Sequence, residues 1–282
     1  MWLVIQEIAY FLQGNGFHCE ILTRMEQKAI FVRCEEGESY AVRCVVPIEV
    51  EATSESEAQV QAAQVMQLLD SLEDEGVTSI IITEDRWRRQ AEMMQARLLA
   101  HLEKFTSLYA RNCEVRKIDK AIAAPFLEGN HSYGDAACRY RYGLYLRRPS
   151  RDGKYEAGTL VAVATFSNAR KWIKGEKTIR SYEWTRYASL PGVRISGGMG
   201  KMLKAFIKEV DPDDIMSYAD LEWSEGNVYE QLGFVLEGQK EPVMFVVDGQ
   251  WHRFPVKPGM AGDRYFQNSG SNKYRLKLTQ YE

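Results

Sequence analysis

Pro191-Gly192-Val193-Arg194-Ile195-Ser196-Gly197-Gly198-Met199-Gly200-Lys201 is the stretch on which the fold turns. An extended run, residues 179–190, precedes it, and Met202, Phe206, Ile207 and Val210 follow at helical spacing. Strand, glycine-rich turn and helix start together make an anion seat. The first amides of a helix have no intrahelical acceptor, its dipole favours negative charge, and glycine lets a ligand approach the backbone. The spacing is not that of a P-loop, whose lysine follows a longer run and precedes Ser or Thr. It also does not open the first βαβ unit of a dinucleotide fold. A tight turn after a strand explains the glycines equally well.

Working outward, residues 113–118, 142–146 and 160–167 read as strands. Residues 121–127 read as a helix with Asp119 as N-cap. Past the turn, 215–219 is a strand, 227–232 a short helix, and 234–236 and 243–247 are strands. Upstream, Ile5, Ile8 and Leu12 mark a helix stopped by Gly14 and Gly16. Extended runs at 17–22, 29–34 and 40–46 follow, the last ended by Pro47. Ala58, Val65, Leu69 and Leu72 mark a second helix, 77–83 a buried strand, and Trp87, Met94, Leu98 and Leu102 a third helix. The expected division is an α/β unit over 1–108 and a second domain over 109–282.

The 282 residues are 45% hydrophobic and 27% charged, a globular composition. The net charge of −3 conceals two windows. Residues 35–75 hold eleven acids against Arg43 alone, whereas 139–180 hold eleven basic residues against Asp152, Glu156 and Glu176. Any polyanion contact belongs to the second window, where Arg139, Arg141, Arg147 and Arg148 interleave with Tyr140, Tyr142 and Tyr145. Alternating Tyr and Arg also describes a half-exposed strand. No run approaches the ~20 apolar residues of a membrane span, and five scattered cysteines without a Cys-x-x-Cys point to a reducing, cytoplasmic setting. No metal site is expected.

Val228-Tyr229-Glu230-Gln231-Leu232-Gly233-Phe234 resembles the Tyr-Glu-Lys-Leu-Gly-Phe ending of the GNAT acyltransferases, and the order of elements from 113 to 247 is similar to a GNAT domain. Within that superfamily the chain resembles the phage Mom-like DNA-modification domains and similar domains of phage homing-endonuclease-like proteins. The stretches that carry this are Phe126-Leu127-Glu128-Gly129-Asn130-His131, residues 160–166, Tyr182-Glu183-Trp184-Thr185-Arg186-Tyr187 and Ser217-Tyr218-Ala219-Asp220. The resemblance spans roughly 78–275. It implies a GNAT-like mixed sheet flanked by helices and acetyl-CoA or CoA as cofactor, its pyrophosphate held by Ser196, Gly197, Gly198, Met199, Gly200 and Lys201. It further implies Tyr229 as proton donor to the leaving thiolate, Arg186 as holder of a phosphate or carboxylate, and Asp220 as general base. Two positions depart from the pattern: Ile195 stands where Arg or Gln is usual, and Glu222 where Asn is usual.

The first 105 residues resemble the skeleton of restriction-endonuclease-like folds. Such nucleases carry metal-binding acids on their second and third strands. Here 29–34 and 40–44 carry none, and Glu35, Glu36 and Glu38 read as turn residues, so that unit is expected to be non-catalytic. Three functions stay open: a CoA-dependent transferase acting on an amine, with adenine in DNA as one acceptor; a non-catalytic DNA-binding or accessory module of a mobile-element nuclease; and a small-amine or protein N-acetyltransferase.

Overall fold

The computed structural model describes residues 3–36, 39–175, 177–223 and 226–280. The chain divides into two compact units and crosses between them repeatedly. The first holds Met1–Leu102, Asp220–Ser224 and Lys240–Ser271; the second holds Glu103–Ala219, Glu225–Gln239 and Asn272–Glu282.

The first unit begins with helix α1 (Val4–Gly14), strands β1 (His18–Arg24), β2 (Gln27–Glu36) and β3 (Ser39–Ile48), helix α2 (Glu55–Asp74), strand β4 (Thr78–Thr83) and helices α3 (Glu84–Arg89) and α4 (Ala91–His101). The sheet order is β1-β2-β3-β4. The first three strands run antiparallel, and β3 pairs β4 in parallel through the α2 crossover. Alternation buries both faces. Ile30, Val32, Val45 and Ile82 face α1 and α4, whereas Ala29, Cys44, Val46 and Ile81 face α2. Ser54 caps α2 by accepting from the Glu57 amide at 3.3 Å, and Glu57 accepts from the Thr53 amide at 2.8 Å.

Two expectations change here, and a third falls outside the described residues. Pro47 does not end β3: it pairs with Ile82 beyond the last rung to β2 at Val45, where the missing amide breaks no ladder on the β2 side. The third helix is two, broken at Gln90 with φ −125° and ψ 43°. Glu38 lies outside the described residues, as do the side chains of Glu35 and Glu36.

The second unit carries β5 (Thr106–Tyr109), β6 (Cys113–Lys117), α5 (Lys120–Asn130), β7 (Tyr140–Leu146), β8 (Leu160–Phe166), β9 (Arg170–Lys174), β10 (Lys177–Ser189), β11 (Val193–Ser196), α6 (Gly198–Val210), β12 (Asp214–Asp220), α7 (Asn227–Gln231) and β13 (Val235–Lys240). Strands β14 (Met244–Val247), β15 (Arg253–Pro255) and β16 (Tyr265–Gln267) return to the first unit, and β17 (Ser271–Lys277) closes the second. Its main sheet is ordered β13-β17-β12-β10-β8-β7-β6, with β9 paired to β10 and a separate parallel pair β11-β5. Helix α6 buries Met202, Leu203 and Phe206 on one face, the Phe206 and Phe166 rings stacking at 3.9 Å. On the opposite face α5 packs Ala123 and Leu127 on Val163 and Ala188. Asp119 caps α5 as expected, accepting from the Ile122 amide at 3.1 Å.

The fold class is the mixed α/β arrangement expected, with sheets flanked by helices. Residues 234–236 and 243–247 both fall on strands as expected, but β14 lies between β15 and β16 in a three-stranded sheet, where Phe245, Val247 and Phe266 pack with Val65, Leu68 and Leu72 of α2. The place beside β13 belongs to β17.

Candidate functional site

Three features of the second unit converge along β10. The first is the glycine-rich turn. Ser196 ends β11, Gly197 sits at φ +74° as the N-cap of α6 without any side-chain cap, and Gly198, Met199 and Gly200 form the first helical turn. The early amides of α6 therefore have no acceptor within the helix. A Cβ on Gly198 would come within 3.0 Å of the Tyr187 hydroxyl, and one on Gly200 within 3.1 Å of Leu232, so a larger residue at either fits only if those side chains give way. Lys201 does not reach toward an anion: its Nζ donates to the carbonyls of Ala110 at 2.8 Å and Cys113 at 2.6 Å, tying the turn to the start of β6.

The second feature is a split in the sheet. Strand β10 pairs with β12 through Ser181, Tyr182 and Glu183 alone. From Trp184 to Ser189 it pairs with β8 but not β12, across an irregularity between Trp184 and Arg186. At the point of divergence the Ser217 hydroxyl lies 3.0 Å from the Trp184 carbonyl and 2.9 Å from the Tyr229 hydroxyl. Tyr229 is stacked on Tyr274 at 5.3 Å and edge-on to Trp184 and Phe234. Burial pushes its phenol pKa up, with the Ser217 hydrogen bond opposing, so it is a neutral proton carrier at physiological pH.

The third feature is a row across three strands. Arg141 faces Thr165 on β8, and Thr165 faces Arg186 on β10, which puts the three side chains on one face. Arg186 donates from Nε to the Gly134 carbonyl at 3.1 Å and from Nη1 to the Thr185 carbonyl at 2.8 Å. Burial lowers its pKa, opposed chiefly by Glu183. It thus pins the loop that follows α5 against β10.

Other expected residues do not join this group. Asp220 closes β12 but belongs to the first unit. It accepts from the Glu222 amide at 2.9 Å and lies 3.5 Å from Arg86. Around it Arg86 meets Glu222 at 2.9 Å, and Arg253 binds both Asp85 and Glu222, a buried ionic cluster whose members lie far apart in sequence. Arg139, Arg147 and Arg148 are exposed and Arg141 is half-buried. The four sit at opposite ends of β7, roughly 20 Å apart by strand rise, and form no single patch. Among the described residues no group of His, Cys, Asp and Glu could hold a metal ion, and no helix is long and apolar enough to cross a membrane. Ser217 is the residue sequence reasoning missed. It lay inside a quoted stretch, but nothing local marks a serine whose partners are 33 and 12 residues away.

The sequence matches no family model and no curated protein. Among solved structures the chain is similar to mutant forms of the spermidine/spermine N-acetyltransferase of Vibrio cholerae, at 12% identity over 58% of this chain and 94% of that one, TM-score 0.36. It is similar to the ribosomal-protein-S5-alanine acetyltransferase of Vibrio fischeri, at 10% identity over 61% and 96%, TM-score 0.35. It is also similar to the histone acetyltransferase HPA2 and related acetyltransferase of Corynebacterium glutamicum, at 13% identity over 50% and 66%, TM-score 0.30.

Proposed function

We propose that the second unit is a GNAT-type, CoA-dependent acyltransferase whose acceptor is an amine. One observation carries this reading: the split between β10 and β12 opens where a buried tyrosine hydroxyl waits, and β10 leads on to an uncapped helix start. The residues present fit the cofactor. The amides of Gly198, Met199 and Gly200 suit a pyrophosphate, and the edge of β10 from Trp184 to Ser189, free of β12, suits the amides of a pantetheine arm.

Acyl-CoA would supply an activated thioester, whose acyl carbon passes from sulfur to nitrogen while the nitrogen sheds a proton and the sulfur gains one. Tyr229 holds the proton for the sulfur on its hydroxyl. Ser217 has one proton and two acceptors, the Trp184 carbonyl and the Tyr229 oxygen, and can turn from the first to the second as negative charge grows there. Arg186 positions the loop at 131–138 through Gly134, and Lys201 steadies the turn. Asp220 belongs to the first unit, where the Glu222 amide and Arg86 bind its carboxylate.

The finer reading is that the acceptor is the amino group of adenine in DNA, as the Mom-like stretches imply, with exposed Arg139, Arg147 and Arg148 on phosphates. Calorimetry with acetyl-CoA tests the cofactor, and mass spectrometry of nucleosides from DNA of expressing cells tests the acceptor. No heat at millimolar acetyl-CoA would refute the transferase. Unmodified adenine beside active protein would refute the DNA acceptor and favour a small amine or protein.

A further inference from the structure

Lys273, Arg275 and Lys277 alternate along β17, and a period of two puts all three on one face of the main sheet. Arg275 Nη1 donates to Asp214 Oδ1 of β12 at 2.7 Å and to Ser181 Oγ of β10 at 3.2 Å, which fixes that face across three strands. Alternation on β10 adds Ile179 and Lys177 to it, and the rung between Ile179 and Trp172 adds the indole of β9. Tyr182, of opposite parity, has its ring 5.4 Å from Phe206, so the face is the one turned away from α6. Here lies a cleft of about 230 Å³. Trp172 and Ile179 give it an apolar wall, and its charged lining is Lys273, Arg275 and Lys277 against Asp214 and Glu237. Both acids are matched within the wall. Lys273 meets Glu237 at 2.6 Å, and Arg275 meets Glu237 and the buried Asp214 at 2.7 Å each. The lining keeps a surplus of one positive charge, and exposed Lys177 on the same face raises it to two. Trp172 stays 44% exposed although the Arg275 guanidinium lies 5.7 Å from its ring centre. A half-open indole beside a cationic surplus supplies the two parts with which proteins hold an unpaired strand: a π face for a base and cations for phosphates.

We propose that this cleft binds single-stranded nucleic acid, with one base stacked on Trp172 and the neighbouring phosphates on Lys277 and Lys177. The cleft is smaller than the roughly 300–1,000 Å³ of pockets that enclose a whole small molecule. It takes one flat base, while the backbone runs on over the open cationic face. A duplex offers it nothing comparable, because the faces of paired bases are already stacked on one another. The site is independent of the acyltransferase reading: it lies across the sheet from α6 and uses no residue assigned to CoA or to the proton transfers.

The test follows the fluorescence anisotropy of labelled oligothymidine and oligouridine, each of about twelve nucleotides, with the full chain at about 50 mM salt. At least one strand should bind, the tighter naming the sugar, and the log of affinity should fall against the log of salt with a slope of about −1.4 for two phosphates. Trp172→Ala should weaken binding about tenfold or more, and Trp172→Phe should restore most of it. Lys277→Gln should weaken binding several-fold and flatten the slope by about 0.7, at an unchanged melting temperature. If Trp172→Ala also melts earlier because Ile179 is uncovered, Lys277→Gln decides, and an unchanged slope there overturns the site. So does any of four further results. These are no binding of either strand at about 100 µM protein, Trp172→Ala within twofold of wild type, equal affinity for duplex DNA or poly-L-glutamate, and full displacement by thymidine monophosphate at the same nucleotide concentration. The third would mark a general polyanion surface, and the last a site for free nucleotides.

Discussion

Replacing Arg253 with Met should destabilise the first unit at pH 7 far more than at pH 5. Arg253 is 10% exposed, and its partners Asp85 and Glu222 are 2% exposed. Its Nη1 donates to the two Glu222 oxygens at 3.2 and 3.0 Å, its Nη2 to Asp85 Oδ1 at 2.9 Å and Thr83 Oγ1 at 2.8 Å, and its Nε to Asp85 Oδ2. Methionine fills similar apolar space beside Phe266 but returns none of these bonds. The two acids then fare differently. Glu222 keeps Arg86 at 2.9 Å, whereas Asp85 is left with the Thr83 hydroxyl and a weaker pull from Arg86. An uncompensated buried charge costs about 3–5 kcal/mol, but Asp85 can escape by taking a proton. Protonating an ordinary aspartate costs about 4 kcal/mol at pH 7 and about 1.5 kcal/mol at pH 5, which caps the penalty at those values. In the wild type the sign is opposite. Arg253 holds the Asp85 pKa below its usual value against the opposing effect of burial, so the associated stability is present above pH 4 and lost on further acidification. Urea unfolding with hydrogen exchange read on peptides from 78–102 and 240–271 would resolve the unit concerned. The double variant Asp85→Asn with Arg253→Met should regain most of the loss, since the amide carries no charge to strand. A pH 7 penalty below 1 kcal/mol, or one that does not shrink at pH 5, would refute the reasoning.

Other perturbations read the remaining parts of the molecule. Ser217→Ala should lower acetyl-CoA turnover about tenfold to 100-fold with little change in KM, and combined with Tyr229→Phe it should cost no more than Tyr229→Phe alone; additive losses would separate the two hydroxyls. Gly226→Ala should destabilise the second unit by roughly 1–3 kcal/mol, because φ is +92° and the new Cβ would meet the Tyr274 ring on which Tyr229 stacks; an unchanged melting curve would contradict the packing. His101 is half-buried beside Arg43 and Arg97, and burial pushes its pKa down to about 4. Its folded value lies below the unfolded one near 6.5, so its stability is fully present above pH 6.5 and lost as pH falls toward 4. His101→Phe should flatten the pH–stability curve across that interval.

Much of the architecture was legible because periodicity reports burial. The alternation at Ala29, Ile30 and Val32, the α6 spacing of Met202 and Phe206, and the Asp119 cap each declare one element from a few neighbouring residues. What stayed hidden involves partners distant in sequence. Strand β17 reads as polar, Ser271-Asn272-Lys273-Tyr274-Arg275-Leu276-Lys277, because one of its buried members is Arg275. That arginine can be buried since Asp214, 61 residues earlier, accepts from it at 2.7 Å, and Glu237 accepts as well. No local pattern shows this, whereas 243–247 is the more apolar run and was the natural choice for the last strand. The structure uses that run elsewhere, since Phe245 and Val247 complete the α2 face of the first unit.

The same physics decides how a carboxylate in this chain is to be read. Residue type made Asp220 attractive as a base: an acid at the end of a strand, one element past the glycine turn. Its partners remove that distinction, because Arg86 and the Glu222 amide already engage it. Asp85 and Glu222 are bound to Arg253, Asp214 to Arg275, Asp119 to a helix start and Glu128 to the Asp135 amide. Each of these acids has its electrostatic work done within the fold. A base or a substrate anchor must instead offer lone pairs the protein has not satisfied, in a place a substrate can reach. Among the described residues Asp135 Oδ1 meets the first condition, in a loop tied by Arg186 to the strand where the sheet parts, but it is sealed from solvent and does not meet the second. Arg186 was singled out from sequence as a ligand-holding residue, and the geometry turns that expectation around. Its Nε and Nη1 donate to two carbonyls, so what it contributes is the position of the loop at Gly134.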